Sequence, residues 1–218
     1  MAPGPRIPLK EHMDSNEREG GTKPLEFWLE DLRRRGAFAK PEHTVRGMFF
    51  RGMLESFRAL GNEALVRRCL EECGQERFVD FFSYSVHVQS QIFLTALPTL
   101  AERHGSGEAA LRQIGRRSIV DFLGSVAGRA MLMMAHGRPR PMIDHMPTAY
   151  RVAVSFGEMK VVWTGARQGT LHIGMSFLPA PVYAGMLQGV LEASRAQGIH
   201  TLARETGESG IACDFSWE

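Results

Sequence analysis

The chain has 218 residues, of which 44% are apolar, enough for one globular domain with a sizeable core and a short tail. Its 26 basic and 24 acidic residues leave a formal net charge of +2, so electrostatics gives no reason to expect nucleic acid or an anionic membrane as a partner. No stretch approaches the about 18 apolar residues of a membrane span. Three cysteines without CxxC spacing fit a reducing compartment, and we therefore expect a cytoplasmic protein.

The N-terminal part is predicted to be a tail followed by helices. Residues 1–23 are rich in proline, glycine and charge, which is typical of a flexible tail, and residues 24–218 are expected to form a single domain. Helical spacing of apolar residues predicts helices throughout residues 25–136. The first follows Pro24, Gly61 ends the second, Asn62 caps the third, and Pro98 is expected to kink or interrupt the next.

The longest helical pattern covers residues 107–136. It carries Gly124 and Gly128, which are four residues apart and therefore lie on one face. A glycine in a helix costs up to about 1 kcal/mol relative to alanine, and the close approach of another backbone is the usual compensation. We interpret this face as a tight contact with another helix or with the sheet, or as one wall of a cavity.

A period of two replaces the helical period in the last third of the chain. Residues 138–141 contain two prolines and are expected to end the helix. Alternating apolar residues then predict strands at residues 152–156, 159–163 and 171–177, and a last hairpin at residues 199–217 that follows a helix opened by Pro179 and Pro181. The predicted fold class is α+β, with an N-terminal helical layer packed on a C-terminal antiparallel sheet, residues 150–218, that one helix crosses.

No motif of a nucleotide-binding loop, a serine hydrolase or a zinc protease is present, and the eight histidines show no metal-ligand spacing. We therefore predict no catalytic residue and no metal site, and we expect that the protein is not an enzyme. His136 and His145, the latter beside Asp144, lie near the junction of helices and sheet. Two interpretations are open for these histidines: a haem or metal ligand, or a polar residue at a turn.

The methionines and cysteines are the residues that could line a ligand site. Methionine adapts to irregular apolar guests, but it is also a common core residue. The proposed lining consists of Phe93, Leu97, Phe122, Met131, Met134 and Met175. Cys69 and Cys73 lie on one side of a helix, where they could form a thiol or acylation site or act as small buried residues.

Five short segments carry a resemblance to a known family: residues 43–50 (HTVRGMFF), 81–97, 147–150 (PTAY), 181–187 (PVYAGML) and 215–217 (FSW). Through them the chain resembles a myxobacterial family of uncharacterised paralogues. The order of elements is also similar to that of a wider superfamily, which contains the haem–nitric-oxide-binding domains, the 4-vinyl-reductase-type domains and the TRAPP vesicle-tethering subunits. The resemblance implies a ligand-binding or partner-binding domain that dimerises, and not a catalyst.

The chain departs from each branch of this superfamily. The segment Trp163-Thr-Gly-Ala-Arg167 stands where the haem–nitric-oxide-binding domains have Tyr-x-Ser-x-Arg, which argues against haem, so no cofactor is predicted. Only Cys213 matches the terminal cysteines of the 4-vinyl-reductase-type domains, which argues against their zinc site. Cys69 or Cys73 could take the part of the cysteine that carries an acyl chain in TRAPP subunits.

Two functions are compatible with these features. The first is a non-catalytic sensing or carrier domain that holds a small apolar molecule or lipid between helices and sheet, close to Met131 and Met134. The alternative is a homodimeric or partner-binding interaction module with a solid core and no ligand. The methionines and spaced glycines favour the first function, whereas the lack of a polar group to orient a ligand favours the second.

Overall fold

The computed structural model describes residues 23–218, so that the predicted tail lies outside the described residues except for Lys23. The helices of the described part are α1 (Leu25–Ala37), α2 (Gly47–Leu60), α3 (Glu63–Glu72), α4 (Val86–His104), α5 (Gly107–Gly124), α6 (Val126–Met134), α7 (Pro139–Ala153) and α8 (Ala180–Ala193). Its strands are β1 (Thr44–Arg46), β2 (Ser83–Ser85), β3 (Met159–Trp163), β4 (Gln168–Ile173), β5 (His200–Thr206) and β6 (Gly210–Ser216). None of these helices is both long and apolar enough to cross a bilayer.

The sheet is antiparallel and is covered on one face. Its strand order is β3-β4-β6-β5, and strands β1 and β2 form a separate two-stranded ribbon. The alternating residues Leu171, Cys213 and Phe215 point into a core that they share with α8 and α7. The predicted α+β fold, with a crossing helix between two hairpins, is confirmed.

Two apolar clusters form the core. The first lies among helices α1 to α5 and contains Trp28, Phe57 and Leu97. The second lies between the sheet and helices α6 to α8 and contains Met142, Leu187 and others. Val154, Leu178 and Met186 are partly buried and pack against both clusters. The two clusters are therefore distinct, and they meet at these residues and where α5 packs on α8.

Helices α5 and α8 cross with their backbones in contact. A Cβ atom on Gly115 of α5 would overlap the carbonyl oxygen of Val182, and one on Gly185 of α8 would overlap that of Arg112. One helical turn further, a Cβ atom on Gly189 would lie 2.9 Å from the carbonyl oxygen of Arg116. Only glycine permits such an approach. This crossing joins the helical layer to the sheet.

The predicted helix over residues 107–136 is interrupted, and the expectation for Gly124 and Gly128 is wrong. Ser125 adopts an extended conformation between α5 and α6, and its Oγ accepts a hydrogen bond of 3.1 Å from the amide of Gly128. A serine that caps a new helix competes with helix continuation. Gly124 faces open space, and Gly128 packs on the carbonyl of Phe122 at the end of α5 rather than on another layer.

The predicted strand at residues 152–156 is also wrong, because α7 continues to Ala153. Pro139 occupies the first turn of this helix, where a missing amide hydrogen costs nothing, and the helix continues through Pro147. Its buried residues are Met142, Ile143, Met146, Tyr150 and Ala153, which is a helical spacing. Only Val154 keeps a strand-like contact, an isolated bridge to Val45.

Two smaller expectations differ from the structure for local reasons. Helix α4 is not interrupted at Pro98, which is solvent-exposed on an otherwise regular helix. The second of the predicted helices, α2, begins at Gly47, because Thr44 to Arg46 pair with Ser83 to Ser85 as β1 and β2. By contrast, the predicted cap is present, since Asn62 Oδ1 accepts a 2.9 Å hydrogen bond from the amide of Leu65.

The glycine crossing can be tested by one added methyl group. We expect Gly115→Ala to lower the free energy of unfolding by about 2–3 kcal/mol, because the methyl group overlaps the Val182 carbonyl and forces α5 and α8 apart. The matched control is Gly52→Ala in α2, where nothing lies within 4 Å of the added Cβ. That change should be neutral or stabilising by up to about 1 kcal/mol. Urea denaturation measures both, and equal effects would contradict the crossing.

Candidate ligand-binding site

The second cluster is rich in methionine. Four buried methionines, Met131, Met142, Met146 and Met159, come from α6, α7 and β3, and Met186 of α8 packs against them. Methionine side chains are flexible and polarisable, so they can repack around an irregular apolar guest. The cluster lies between helices and sheet, which is the position predicted for a ligand.

Helix α7 covers this cluster and is held on the edge of the sheet. Its side chains Met142, Met146 and Tyr150 recur every four residues and face the sheet. On its other side, Asp144 Oδ1 accepts a 2.9 Å hydrogen bond from Trp163 Nε1, and the Arg140 guanidinium lies 4.2 Å from the Trp163 ring centroid. His145 of the same helix is half-buried and lies one turn from Met142.

Two tyrosines bring hydroxyl groups to one end of the cluster. Tyr150 donates a 3.0 Å hydrogen bond to the carbonyl of Met175, and Tyr183 Oη lies 2.8 Å from Ser176 Oγ. Burial raises the pKa of both phenols well above the ordinary value, and for Tyr183 the hydrogen bond with Ser176 and the charge of Arg35 offset this only in part. Both phenols are therefore protonated at neutral pH and are available as hydrogen-bond donors.

A buried arginine extends this polar chain to helix α1. Arg35 Nη1 donates to the carbonyl of Ser176 at 3.1 Å, and Nε donates to Asp31 Oδ2 at 2.9 Å. Its Nη2 lies 2.7 Å from Glu205 Oε1 on β5, with poor hydrogen-bond geometry. Although burial lowers the pKa of Arg35, its contacts with Asp31 and Glu205 outweigh this effect and raise it. The guanidinium stays charged inside the protein.

These polar residues were not predicted from the sequence. Positions 31, 35, 150, 176, 183 and 205 are scattered along the chain, and no spacing marks them as a group. The one available signal was the i, i+4 pair of Asp31 and Arg35, but Arg35 belongs to a run of three arginines that is typical of an exposed helix face. The side chains of Asp31 and Arg35 are 3% and 0% exposed.

Helix α6 closes the cluster with few buried residues. It packs on its chain neighbours α5 and α7. Met131 and the following Ala135 are buried, whereas Val126, Met133 and Met134 are exposed by 79%, 71% and 64%. The break at Ser125 precedes the helix, and His136 and Gly137 follow it with positive φ angles of 52° and 61°. A short helix between two backbone breaks can move more easily than its neighbours.

The six residues predicted to line a ligand site lie in different parts of the core. Met131 belongs to the methionine cluster, and Phe122 packs against it. Phe93 and Leu97 belong to the first cluster, and the side chain of Met175 packs against that one. Met134 points into solvent. The structure therefore brings Met131 and Phe122 together, while the lining prediction as a whole stays a prediction.

The cysteines are buried thiols in the described structure. Cys69 is 0% exposed, and Cys73 is partly buried on the same helix. Burial raises the pKa of Cys69 from 9.0 to about 12 and also raises that of Cys73, so both are protonated and weak nucleophiles at neutral pH. Burial also raises the pKa of Cys213, inside the sheet, to about 12. The acylation hypothesis stays a prediction.

The described residues contain few other site-like features. Within residues 23–218, no three His, Cys, Asp or Glu side chains are grouped as metal ligands would be. The two best-defined concavities of this part are surface grooves, of about 350 Å³ next to α3 and about 200 Å³ between β1, β2 and the end of α7. Neither lies in the methionine cluster, so entry of a ligand there requires side chains to repack.

Comparison with known proteins places the chain in a family. Residues 39–218 match the family described as "Protein of unknown function (DUF2378)". The chain belongs to this family. No curated protein sequence matches the chain significantly.

The fold of this DUF2378 protein is similar to that of solved H-NOX structures. One is an H-NOX protein from S. oneidensis in the Fe(II)NO ligation state, with a TM-score of 0.64 and 12% identity, covering 79% of this chain and 99% of that one. Another is an oxygen-binding H-NOX domain related to soluble guanylate cyclases, with a TM-score of 0.61 and 12% identity, covering 79% and 95%. A third structure, which concerns the modulation of haem redox potential by porphyrin distortion, has a TM-score of 0.61, 13% identity and the same coverage.

The expectation against haem is contradicted by these similarities, since the solved structures that share this fold include H-NOX domains and one that is described through its haem. That expectation rested on the missing Tyr-x-Ser-x-Arg segment at residues 163–167. The structure instead brings Tyr183, Ser176 and Arg35 together from three separate elements. The described residues include side chains of the kinds that hold a haem, namely the adaptable apolar cluster, the buried hydroxyl groups of Tyr183 and Ser176 and, on α7, the half-buried imidazole of His145.

The contribution of the buried Arg35 to stability can be tested by replacing it with an uncharged residue. We expect Arg35→Met to lower the free energy of unfolding by about 3–5 kcal/mol, because the buried Asp31 keeps only its contact with the partly exposed Arg34, and the Ser176 carbonyl loses its donor. The control is Arg33→Met, an exposed position on the same helix, which should change stability by less than about 0.5 kcal/mol. If the double variant Asp31→Leu/Arg35→Met is no more stable than Arg35→Met, the pair is not coupled as described.

The cysteine environments predict slow alkylation of the native protein. At pH 8, iodoacetamide should leave Cys69 and Cys213 unmodified in the folded chain and modify both in urea, as measured by mass spectrometry of peptides. Between pH 9 and about 12 the unfolded chain loses these thiol protons while the folded chain keeps them. The free energy of unfolding should therefore fall as the pH rises through that range. Rapid labelling of native Cys69 would contradict its burial.

Proposed function

We propose that this protein is a non-catalytic sensing domain, which holds a small ligand in the methionine cluster between helix α7 and the sheet. The observation that supports this most directly is the combination of flexible apolar side chains with two buried phenol donors, Tyr150 and Tyr183, at one end of the cluster. Ligand sites are typically apolar with a few convergent polar groups. The similarity to H-NOX structures supports a ligand-binding, sensing role.

Ligand entry is proposed to occur beneath helix α6. Met131 and the partly buried Leu132, with Ala135 just after the helix, form its apolar contact with the core, so displacing the helix exposes a limited apolar surface. The backbone breaks at Ser125 and at His136 and Gly137 give it two points at which to turn. In this proposal Met131 withdraws, and Met142 and Met146 repack around the guest.

The polar chain offers a route by which occupancy could change the surface. Tyr183 contacts Ser176, the carbonyl of Ser176 accepts from Arg35, and Arg35 holds Glu205 of the edge strand β5. A ligand that takes a hydrogen bond from either phenol would change this set of partners. We propose that the position of α1 relative to β5 then reports the bound state.

Two classes of ligand fit the cluster: a haem or another small apolar molecule. For a haem, the methionines would provide the apolar walls, His145 the imidazole and the Tyr183–Ser176–Arg35 chain the polar end. When bound, haem supplies an iron that binds diatomic gases. For an apolar guest, the phenols would orient a single carbonyl or hydroxyl group.

The proposal extends to enzymatic activity, cellular location and partners. The lack of a catalytic constellation in the sequence supports a protein that is not an enzyme. The near-neutral charge and the cysteine content support a cytoplasmic location without nucleic acid as a partner. The sequence resemblance supports a myxobacterial paralogue family and a homodimeric state.

Ligand binding can be tested with hemin and by native mass spectrometry. We expect the purified full chain either to carry a small apolar molecule or to bind hemin with a new Soret band. Met146→Phe, which fills the cluster, should weaken that binding at least about tenfold. The matched control is Met53→Phe in the first cluster, since Met146 and Met53 are 7% and 6% exposed, and it should leave binding unchanged.

Further variants separate the two ligand classes. His145→Ala should shift or abolish the Soret band only if a haem iron uses this imidazole, whereas His87→Ala on the exposed side of α4 should have no effect. If neither hemin nor a co-purified molecule binds, the proposed function fails. A dimer without ligand in light scattering would then favour the interaction module, for which the exposed Met133 and Met134 offer apolar surface.

A further inference from the structure

A surface groove with two arginines lies at the C-terminal end of α7. It measures about 200 Å³ and lies between the ribbon of β1 and β2 and the end of α7. It is lined by Thr44, Arg46, Ser83 and residues 151–155. Arg46 and Ser83 are directly opposite in the ribbon, so a guanidinium and a hydroxyl group share one face.

The two arginines of the groove carry charge that the described chain does not neutralise. Arg46 Nη1 donates a 2.8 Å hydrogen bond to the carbonyl of Phe81, and Arg151 makes one long contact of 3.4 Å with Thr148 Oγ1. Within residues 23–218, neither forms an ion pair, although the nearby Arg51 pairs with Asp80 at 2.6 Å. The groove therefore presents two positive charges and hydroxyl groups to a ligand.

Large apolar side chains stand beside these charges. Phe81 is 83% exposed, Phe82 is 64% exposed, and Val152 on the groove wall is 61% exposed. Aromatic residues and arginine are the residue types that dominate binding energy at protein interfaces. Exposed aromatics next to unpaired arginines are therefore a feature of a docking surface.

The aromatic segment is fixed by its backbone. The amide of Gly47 donates to the carbonyl of Phe82 at 2.8 Å, and the amide of Val79 donates to Tyr84 Oη at 2.8 Å. A Cβ atom on Gly47 would overlap the carbonyl of Val79, so the segment packs directly on the start of α2. The two phenylalanines are held in exposed positions and need little ordering when a partner binds.

We propose that this groove, together with Phe81 and Phe82, docks a peptide segment of a protein partner that carries acidic residues next to apolar ones. Its carboxylates pair with Arg46 and Arg151, and its apolar side chains cover Phe81, Phe82 and Val152. The positive charges lie in a narrow groove between the ribbon and α7 rather than on a broad flat face, which favours a peptide segment over an anionic bilayer.

The test is a selection of random displayed peptides on the full chain without hemin, so that its outcome is independent of the ligand in the methionine cluster. Enriched peptides should combine Asp or Glu with Leu or Phe. Binding of a synthetic copy should fall at least about tenfold in Arg46→Glu/Arg151→Glu and in Phe81→Ser/Phe82→Ser. The control Arg33→Glu on α1 should bind as the parent does, and circular dichroism verifies that each variant folds.

A charge swap makes the test specific. A peptide with Lys in place of Glu should bind Arg46→Glu/Arg151→Glu better than it binds the parent. The proposal is overturned if no acidic peptide is enriched or if the arginine variants bind it unchanged. It is also overturned if these variants lose binding only to phosphatidylserine vesicles, or if they only convert a dimer to a monomer, since the surface would then serve a membrane or a second copy.

Discussion

The contact of the α5 and α8 backbones is the constraint on which the other parts of the molecule depend. Helix α8 lies between the two hairpins of the sheet, so its position fixes the sheet, whereas α5 packs on α2 and α4 and so belongs to the helical layer. The two helices meet at Gly115 and Gly185 without intervening side chains. Arg116 and Glu192 form an ion pair of 2.7 Å beside this contact and add orientation rather than much stability.

The buried charged residues of α1 fix the position of this helix relative to the sheet. An arginine with no exposed side-chain surface is costly unless each of its donors finds a partner, and Arg35 meets partners on α1, on the segment before α8 and on β5. A purely hydrophobic contact would allow α1 to slide over the edge of the sheet. The hydrogen bonds and ion pairs of Arg35 depend on direction and therefore hold the helix in one position. The phenols of Tyr150 and Tyr183 connect that position to the methionine cluster.

Elements were predicted correctly where the residue pattern fits only one type of secondary structure. The strands of the last hairpin alternate strictly, and Asn62 is an unambiguous cap, so both are found where expected. Residues 152–156 alternate as a strand does, yet the helical spacing of Met142, Met146 and Tyr150 continues into them and prevails. Gly124 with Gly128 and Gly185 with Gly189 have the same spacing, but only the second pair meets the backbone of a helix in another layer at both positions, which depends on a partner helix that local sequence does not specify.

The separation of the core into two clusters has a consequence for how the molecule could store a signal. Most buried residues belong to one cluster, and coupling between the clusters runs through the α5–α8 crossing and through Val154, Leu178 and Met186, which contact both. The helical half can act as a rigid frame while the sheet half exchanges between tight and loose packing. Such an exchange costs only a fraction of the global folding free energy, and that fraction can be adjusted by substitutions in the sheet half alone.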